Sequence, residues 1–81
     1  MNYFYLIKSL NKKWVYAGST KDLRSRFDQH ANGKIKSTKA HRPFELIYYE
    51  AYNSYTSARK RELEIKSKGQ QKENLFRRLG I

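Results

Sequence analysis

The fold of this chain is decided by residues 14–30, which read WVYAGSTKDLRSRFDQH. The run at residues 14–17 is aromatic and β-branched, and it predicts a strand that stops at Gly18. We interpret Gly18 as a tight turn, because glycine adopts backbone conformations that other residues avoid. Residues 19–22 then supply side-chain oxygens that can cap the free N–H groups of a new helix. The stretch therefore predicts a strand, a glycine turn and a helix.

Two pairs of residues define the faces of that helix. Leu23 and Phe27 are four residues apart and share its apolar face. Arg26 and His30 are also four apart and lie beside that face. Tyr16 stands at the end of the preceding strand, so the pattern places a tyrosine, an arginine and a histidine within reach of one cleft.

Length and composition predict one small domain over residues 1–81. A hydrophobic content of 38% is enough for a core and argues against wholesale disorder. The absence of cysteine excludes disulfides and thiolate metal sites. No long apolar run occurs, so we expect neither a transmembrane helix nor a signal peptide, and a cytoplasmic location.

Charge is the strongest signal in the composition. Eighteen Lys and Arg against seven Asp and Glu give a formal net charge of +11. Such a chain is expected to bind polyanions, above all nucleic acid. A membrane surface is disfavoured, because no segment pairs a basic face with a broad exposed apolar one. An interaction protein whose charge serves only solubility is the least favoured alternative.

The remaining sequence predicts two more strands and two more helices. The strands are residues 3–7 and 44–50, and the helices are residues 54–68, ended by Gly69, and 70–79. A polar turn at residues 8–13 joins the first two strands as a hairpin, which brings Tyr5 and Tyr16 onto neighbouring strands. The order β-β-α-β-α-α predicts an α+β fold, a small three-stranded sheet flanked by three helices.

The segment 33–43 is a predicted loop with basic residues and no acid. Such a loop is suited to phosphate contacts. Together with two basic residues at the start of the first helix, it gives the predicted nucleic-acid contacts: Lys21, Arg24, Lys34, Lys36, Lys39 and Arg42.

Glu62 is the unusual residue of the second long helix. It falls on the stripe of Tyr55, Ala58 and Ile65, which should face the sheet. A carboxylate there is costly unless a cation, hydrogen bonds or a metal ion meets it. One interpretation is a structural ion pair with an arginine at the edge of the core, such as Arg26, and the other is a metal site. The charged neighbours are predicted to face solvent: Arg59, Lys60, Arg61, Glu64 and Lys66.

Each of these signals has an ordinary explanation when taken alone. Strand tyrosines commonly pack, and Arg26 and His30 would pass as surface residues of a basic helix. Taken in order, however, the residues resemble the GIY-YIG nuclease family, in its small stand-alone, single-domain bacterial branch. The matching segments are Tyr3-Phe4-Tyr5, Tyr16-Ala17-Gly18, residues 19–23 with Arg26 and His30, and Ala58, Arg61-Glu62 and Ile65-Lys66.

The chain departs from the family's motifs at four places. Tyr3, Phe4 and Ala17 replace a glycine and two isoleucines. Larger members carry an asparagine after the glutamate helix, and Asn74 is the only candidate here, in a different local context, so it is assigned no role.

The resemblance implies a metal-dependent endonuclease or nickase that hydrolyses phosphodiester bonds of DNA with low sequence specificity. Branched, damaged and single-stranded DNA, and RNA, stay open as substrates. Glu62 would hold one Mg²⁺ or Mn²⁺ ion. Arg26 would bind phosphoryl oxygens. Tyr16, with Tyr5 beside it, would position or deprotonate the attacking water, and His30 would orient it or share in proton transfer. The alternative is a nucleic-acid-binding module on the same fold without useful turnover.

Overall fold

A three-stranded antiparallel sheet forms the centre of the computed structural model, which describes residues 1–81. Strand β1, Asn2–Ser9, lies between β2, Val15–Thr20, and β3, Phe44–Tyr52. The β1–β3 pairing shifts register between Leu6 and Ile7, which is a β-bulge or a similar irregularity. The predicted hairpin of β1 and β2 is confirmed.

Three α-helices complete the fold: α1, Leu23–Ala31, α2, Tyr55–Ser67, and α3, Gly69–Leu79. A short 3₁₀ turn, Lys39–His41, precedes β3. Two of the N-caps follow the sequence pattern, because Asp22 accepts a hydrogen bond from the Ser25 amide and Ser54 accepts one from the Ser57 amide. The predicted α+β class and the element order are confirmed. None of the α-helices has the length and apolar character that spanning a bilayer requires.

Alternate residues of β1 point to opposite faces of the sheet and enter two separate cores. Phe4 and Leu6 pack under α2 and α3, against Ile65 and Leu75. On the other face, Tyr5 and Ile7 pack with Phe44, and Leu23 and Phe27 of α1 close this second core. The shared apolar face of α1 is thereby confirmed. The sheet thus separates an α1 side from an α2–α3 side.

The tight turn predicted at Gly18 is wrong. β2 continues through Gly18 to Thr20, and Gly18 pairs directly with Tyr5 of β1. A Cβ atom at Gly18 would come within 3 Å of the Tyr5 ring and hydroxyl. Glycine is therefore required for close packing, since the left-handed glycines are Gly33 and Gly80 instead.

The predicted solvent side of α2 also needs correction. Arg61 is half-buried and donates hydrogen bonds to Glu50, whose carboxylate also accepts hydrogen bonds from the Tyr48 and Tyr52 hydroxyls. Tyr55 does not belong to the buried stripe that was predicted, since 43% of this residue is exposed. The core-facing stripe of α2 consists of buried residues Ala58, Glu62 and Ile65.

Candidate active site

A line of hydrogen bonds runs from β1 through His30 to residues 33–43, which we call the basic loop. The Tyr5 hydroxyl lies 2.7 Å from Nε2 of His30. Nδ1 of the same ring lies 2.7 Å from Oγ1 of Thr38. All three side chains are buried, and no sequence pattern predicted that His30 would be almost inaccessible, with 1% of its surface exposed. Tyr5 and His30 are therefore in direct contact.

Burial sets the protonation of this pair. It raises the pKa of the Tyr5 hydroxyl far above its usual range, and the nearby Tyr16 adds to that effect. Burial, and then the charge of Arg26, lower the pKa of His30 to about 4. Near neutral pH, Tyr5 therefore keeps its proton and His30 is uncharged.

Tyr16 and Arg26 lie around the same pair. The ring of Tyr16 meets that of His30 edge-to-face, with centroids 5.3 Å apart. Tyr16 is half-buried, and its hydroxyl makes no hydrogen bond within the protein. Arg26 is half-buried too and pairs with no carboxylate. A hydroxyl and a guanidinium without protein partners are both available to a ligand.

Glu62 lies on the other side of the sheet and has three partners. Ser19 donates a hydrogen bond of 2.5 Å to Oε1. Lys66 Nζ and Arg59 Nη1 lie 2.6 Å and 2.9 Å from Oε2. Only 3% of Glu62 is exposed, whereas 48% of the Arg59 side chain and 42% of the Lys66 side chain are exposed. The ion pair suggested with Arg26 is therefore wrong, because Glu62 pairs with cations of its own helix, one turn away on either side.

These contacts keep Glu62 ionised. Burial by itself would raise the pKa of this carboxyl. The hydrogen bonds from Lys66, then Ser19 and Arg59, outweigh burial and hold the pKa below its ordinary value. The result is a buried carboxylate that stays negative at neutral pH.

The two halves of the site meet at β2, an edge strand of the sheet. Gly18 lies under the Tyr5 ring on the α1 side, and the next residue, Ser19, contacts Glu62 on the α2 side. Lys66 joins the halves, because its ammonium pairs with Glu62 and also lies 5.1 Å from the centroid of the Tyr16 ring. We call this arrangement the β2-edge site.

A divalent ion at the β2-edge site would have Glu62 as its one carboxylate ligand. No cluster of three or more acidic or histidine ligands occurs in the chain. Mg²⁺ needs few protein ligands, since it keeps several waters and is often bound by one or two carboxylates plus a substrate phosphate. Glu62 offers an ionised carboxylate that already attracts two cations, and the Ser19 oxygen lies beside it.

The basic loop lies next to His30 and is tied down at several points. Thr38 binds His30, the His41 ring stacks on Trp14 with centroids 3.7 Å apart, and Lys12 donates to the carbonyl of Ala40. Its three lysines, Lys34, Lys36 and Lys39, are exposed. Arg42 is engaged within the loop instead, since its Nε donates to the Lys39 carbonyl and its guanidinium covers Gly33.

Lys21 and Arg24 lie at the other end of α1. They are exposed and line an open cleft of about 810 Å³ between α1 and the sheet. Tyr3 and Tyr49 form its aromatic wall, with ring centroids 5.9 Å apart. The six predicted nucleic-acid contacts therefore form two groups, at opposite ends of α1.

Four contacts of the site were not predicted from the sequence: those of Thr38, Ser19, Arg59 and Lys66. Thr38 gave no signal, because nothing in a polar loop marks the residue that turns inward. The ion pairs of Arg59 and Lys66 were predictable, since these residues stand three before and four after Glu62, the spacing of ion pairs on a helix. Asn74 lies with Arg61 and Glu50 around a separate small cavity on the α2–α3 side.

Comparison with known proteins gives a consistent result. The family model of the GIY-YIG catalytic domain matches residues 1–74. A UPF0213 protein of Staphylococcus epidermidis is 43% identical over 67 residues, which cover 82% of this chain and 80% of the relative. The UPF0213 protein YazA of Bacillus subtilis is 37% identical over 76 residues, which cover 93% of this chain and 76% of YazA.

A solved structure agrees with these sequence matches. It is the solution NMR structure of the UPF0213 protein BH0048 from Bacillus halodurans, which aligns with a TM-score of 0.54 and 32% identity. The alignment covers 93% of this chain and 83% of that one. The residues matched by the family model include every side chain of the β2-edge site.

Proposed function

The chain belongs to the GIY-YIG family, a family of nucleases, and on that basis we propose that it is a divalent-metal-dependent endonuclease that nicks DNA with low sequence specificity. The observation that carries this proposal is that candidate proton-transfer groups and a candidate metal ligand lie on the two sides of one strand. A neutral Tyr5–His30 pair lies on one side of β2, and the ionised Glu62 lies on the other. Hydrolysis of a phosphodiester needs both proton transfer and charge stabilisation.

Arg26 is the candidate for holding the scissile phosphate. Its guanidinium is planar and permanently charged, and it matches two phosphoryl oxygens with parallel N–H donors. The absence of a carboxylate partner leaves those donors free for an incoming anion. Its charge already acts on His30, lowering the pKa of that ring, so the phosphate would be held beside the proton-transfer groups.

The two tyrosines differ in what they can do. The Tyr5 hydroxyl is buried and bonded to His30, so it is placed to pass its proton to Nε2 of that ring as it takes up the proton that the attacking water loses. The Tyr16 hydroxyl has no protein partner and is half-exposed, so it is placed to bind the attacking water. We assign water binding to Tyr16 and proton relay to Tyr5 and His30.

Glu62 would hold the divalent ion, whose chemistry is polarisation of the scissile phosphate and stabilisation of the leaving oxygen. Ser19 orients the carboxylate through the hydrogen bond to Oε1. Lys66 and Arg59 keep Glu62 ionised and are exposed enough to swing away.

DNA is the proposed substrate because of charge. The net charge of +11 and the exposed Lys34, Lys36 and Lys39, in the loop whose Thr38 contacts His30, favour a polyanion that passes the β2-edge site. A domain of 81 residues offers little surface for reading bases, so cleavage should depend weakly on sequence. A binding module without turnover is the second candidate, and the cation pairing of Glu62 favours it if no divalent ion displaces Lys66.

A nicking assay on supercoiled plasmid tests the proposal, with Mg²⁺ or Mn²⁺ and with EDTA as the control. Arg26→Lys keeps the charge and loses the planar fork, so turnover should fall by orders of magnitude while DNA affinity changes little. Arg24→Lys, on the exposed side of the same helix, is the matched control. A parent protein that binds the plasmid but never nicks it with any divalent ion would leave the binding module as the function.

The hydroxyl of Tyr16 has its own test in the same assay. Tyr16→Phe removes only the oxygen, and the packing of the ring against His30 is retained. Loss of nicking with unchanged plasmid binding would support water binding by Tyr16. Cleavage at the parental rate would mean that Tyr16 only packs.

A further inference from the structure

We propose that Thr38 is a positioning residue that selects the tautomer of His30, so that the proton is on Nδ1 and Nε2 accepts from the Tyr5 hydroxyl. This proposal depends on the proposed function only in assuming that catalysis uses the proton path between Tyr5 and His30. The arrangement itself is a property of the folded chain and can be measured without substrate.

The placement of Thr38 is unusual for its surroundings. It stands in the basic loop, whose neighbouring residues Ser37 and Lys39 are exposed, yet none of its own surface is accessible. Its hydroxyl lies 2.7 Å from Nδ1 of His30. A buried loop residue that served only to fill space would not need an oxygen at that distance.

The direction of the hydrogen bonds follows from counting protons. A threonine hydroxyl has one proton, and the proposed arrangement directs that of Thr38 to the carbonyl oxygen of Ile35, 3.4 Å away. With its proton directed to Ile35, the Thr38 oxygen accepts from His30, and in the proposed arrangement Nδ1 carries the ring proton. A neutral imidazole has one N–H, and Nε2 is therefore left with its lone pair.

The same count gives the direction of the hydrogen bond between Tyr5 and His30. Nε2 of His30 is 2.7 Å from the Tyr5 hydroxyl, and as an acceptor it must receive the proton of Tyr5. Burial favours the neutral forms of both groups, which is consistent with this pattern. The opposite tautomer would point an N–H at Tyr5, and the ring could then take no proton from it. Thr38 thus determines whether His30 can act as an acceptor in the site.

The experiment is ¹⁵N NMR of the histidine rings at neutral pH, in the metal-free protein without DNA. The chain has two histidines, so the His30 signals are assigned by their loss in His30→Gln. We expect the Nδ1–H form for the parent. Thr38→Val keeps the shape and removes the oxygen, and the Nε2–H form should become populated. Thr38→Ser restores the hydroxyl and should restore the parental spectrum.

Thr20→Val is the matched control. Thr20 is also buried, but its hydroxyl binds the backbone of Asp22 and not His30, so the tautomer should stay as in the parent. A parent in the Nε2–H form overturns the proposal, even if Thr38→Val fails to fold. An Nδ1–H form that persists in Thr38→Val overturns it equally.

Nicking kinetics separate this inference from the proposed function. If the parent nicks DNA, Thr38→Val should lower kcat at least tenfold with little change in KM, and Thr38→Ser should recover most of it. A parent that shows the expected tautomer but no nicking refutes the proposed function and leaves the tautomer assignment standing. Normal kcat in Thr38→Val with an altered tautomer would refute the role of the proton path.

Discussion

Lys66 occupies the position beside Glu62 that a bound cation would take, with Nζ 2.6 Å from Oε2. A divalent ion and this ammonium would therefore compete for the same carboxylate. The ammonium also lies over the ring of Tyr16, so its departure would change the surroundings of both halves of the site. If Glu62 binds a divalent ion as proposed, this ion pair would stabilise the metal-free protein and oppose metal binding.

Lys66→Gln should bind Mn²⁺ more tightly than the parent, because the carboxylate loses its closest competitor. We expect a gain of about tenfold, which corresponds to about 1.4 kcal/mol. Isothermal titration calorimetry of the two proteins measures it directly. Lys60→Gln removes the same charge from an exposed position of α2 without a carboxylate partner and should leave the affinity almost unchanged. Equal or weaker binding by Lys66→Gln would show that Lys66 assists the ion.

Glu62→Gln should cost little stability and abolish metal binding. Both cationic partners, Lys66 and Arg59, are more than 40% exposed, so neither would be stranded in the core. We expect a loss of about 1 kcal/mol, well short of the 3–5 kcal/mol that an uncompensated buried charge costs. Thermal melts with and without Mn²⁺ provide the measurement, since the ion should stabilise only the parent by mass action. A variant that melts far lower yet still nicks DNA with metal would refute the assignment of Glu62 as the metal ligand.

Gly18→Ala should destabilise the fold by about 2 kcal/mol, because the added Cβ overlaps the Tyr5 ring in a packed core. For a chain of this size that is a fall in Tm of about 10 °C. Gly69→Ala is the control, since a Cβ there meets nothing within 4 Å. Urea denaturation of both variants compares them. Equal stabilities would mean that Tyr5 moves aside at no cost, and its hydrogen bond to His30 should then be lost.

The contrast between Gly18 and the helix faces shows what the sequence could and could not predict. Leu23 and Phe27 were placed correctly because burial repeats with the period of the helix, and the caps Asp22 and Ser54 followed from local chemistry. Gly18 was misread, because a glycine under an aromatic ring on the next strand looks the same in sequence as a glycine in a turn.

The site likewise contains features that could be predicted from the sequence and features that could not. Its tyrosines, Arg26, His30 and Glu62 could be found from their order along the chain. The hydrogen bond of Thr38 with His30 could not, because it joins a loop to a helix with no periodic pattern and depends on how residues 33–43 fold. Long-range interactions of this kind appear only once the chain is folded.

Replacing Lys34, Lys36 and Lys39 by Gln should weaken DNA binding equally for all sequences, since these exposed lysines are expected to bind phosphates. The slope of log affinity against log salt should become shallower by about 0.9 for each phosphate of duplex DNA that the variant no longer neutralises. Fluorescence anisotropy at several salt concentrations gives both quantities.

The control for the loop lysines is a variant with the same change in net charge. Lys60, Lys68 and Lys72 are exposed on or between α2 and α3, and their replacement by Gln removes three charges outside the loop. It should reduce the slope less than the loop variant does. Equal slopes for the two variants would mean that DNA senses only the total charge, and that the loop does not bind phosphates in particular.

The stability of the fold should depend on pH through His30. Burial and Arg26 lower the pKa of this ring from 6.5 to about 4, so between these values the unfolded chain binds a proton that the folded chain does not. Stability should therefore be constant with respect to His30 above pH 6.5 and should fall as the pH is lowered from 6.5 toward 4. The expected loss is about 3 kcal/mol. Urea denaturation across this range measures it, with His30→Gln expected to remove this contribution and His41→Gln expected to retain it. A parent and a His30→Gln variant that lose stability in parallel would show that His30 takes up its proton as readily in the folded chain as in the unfolded one.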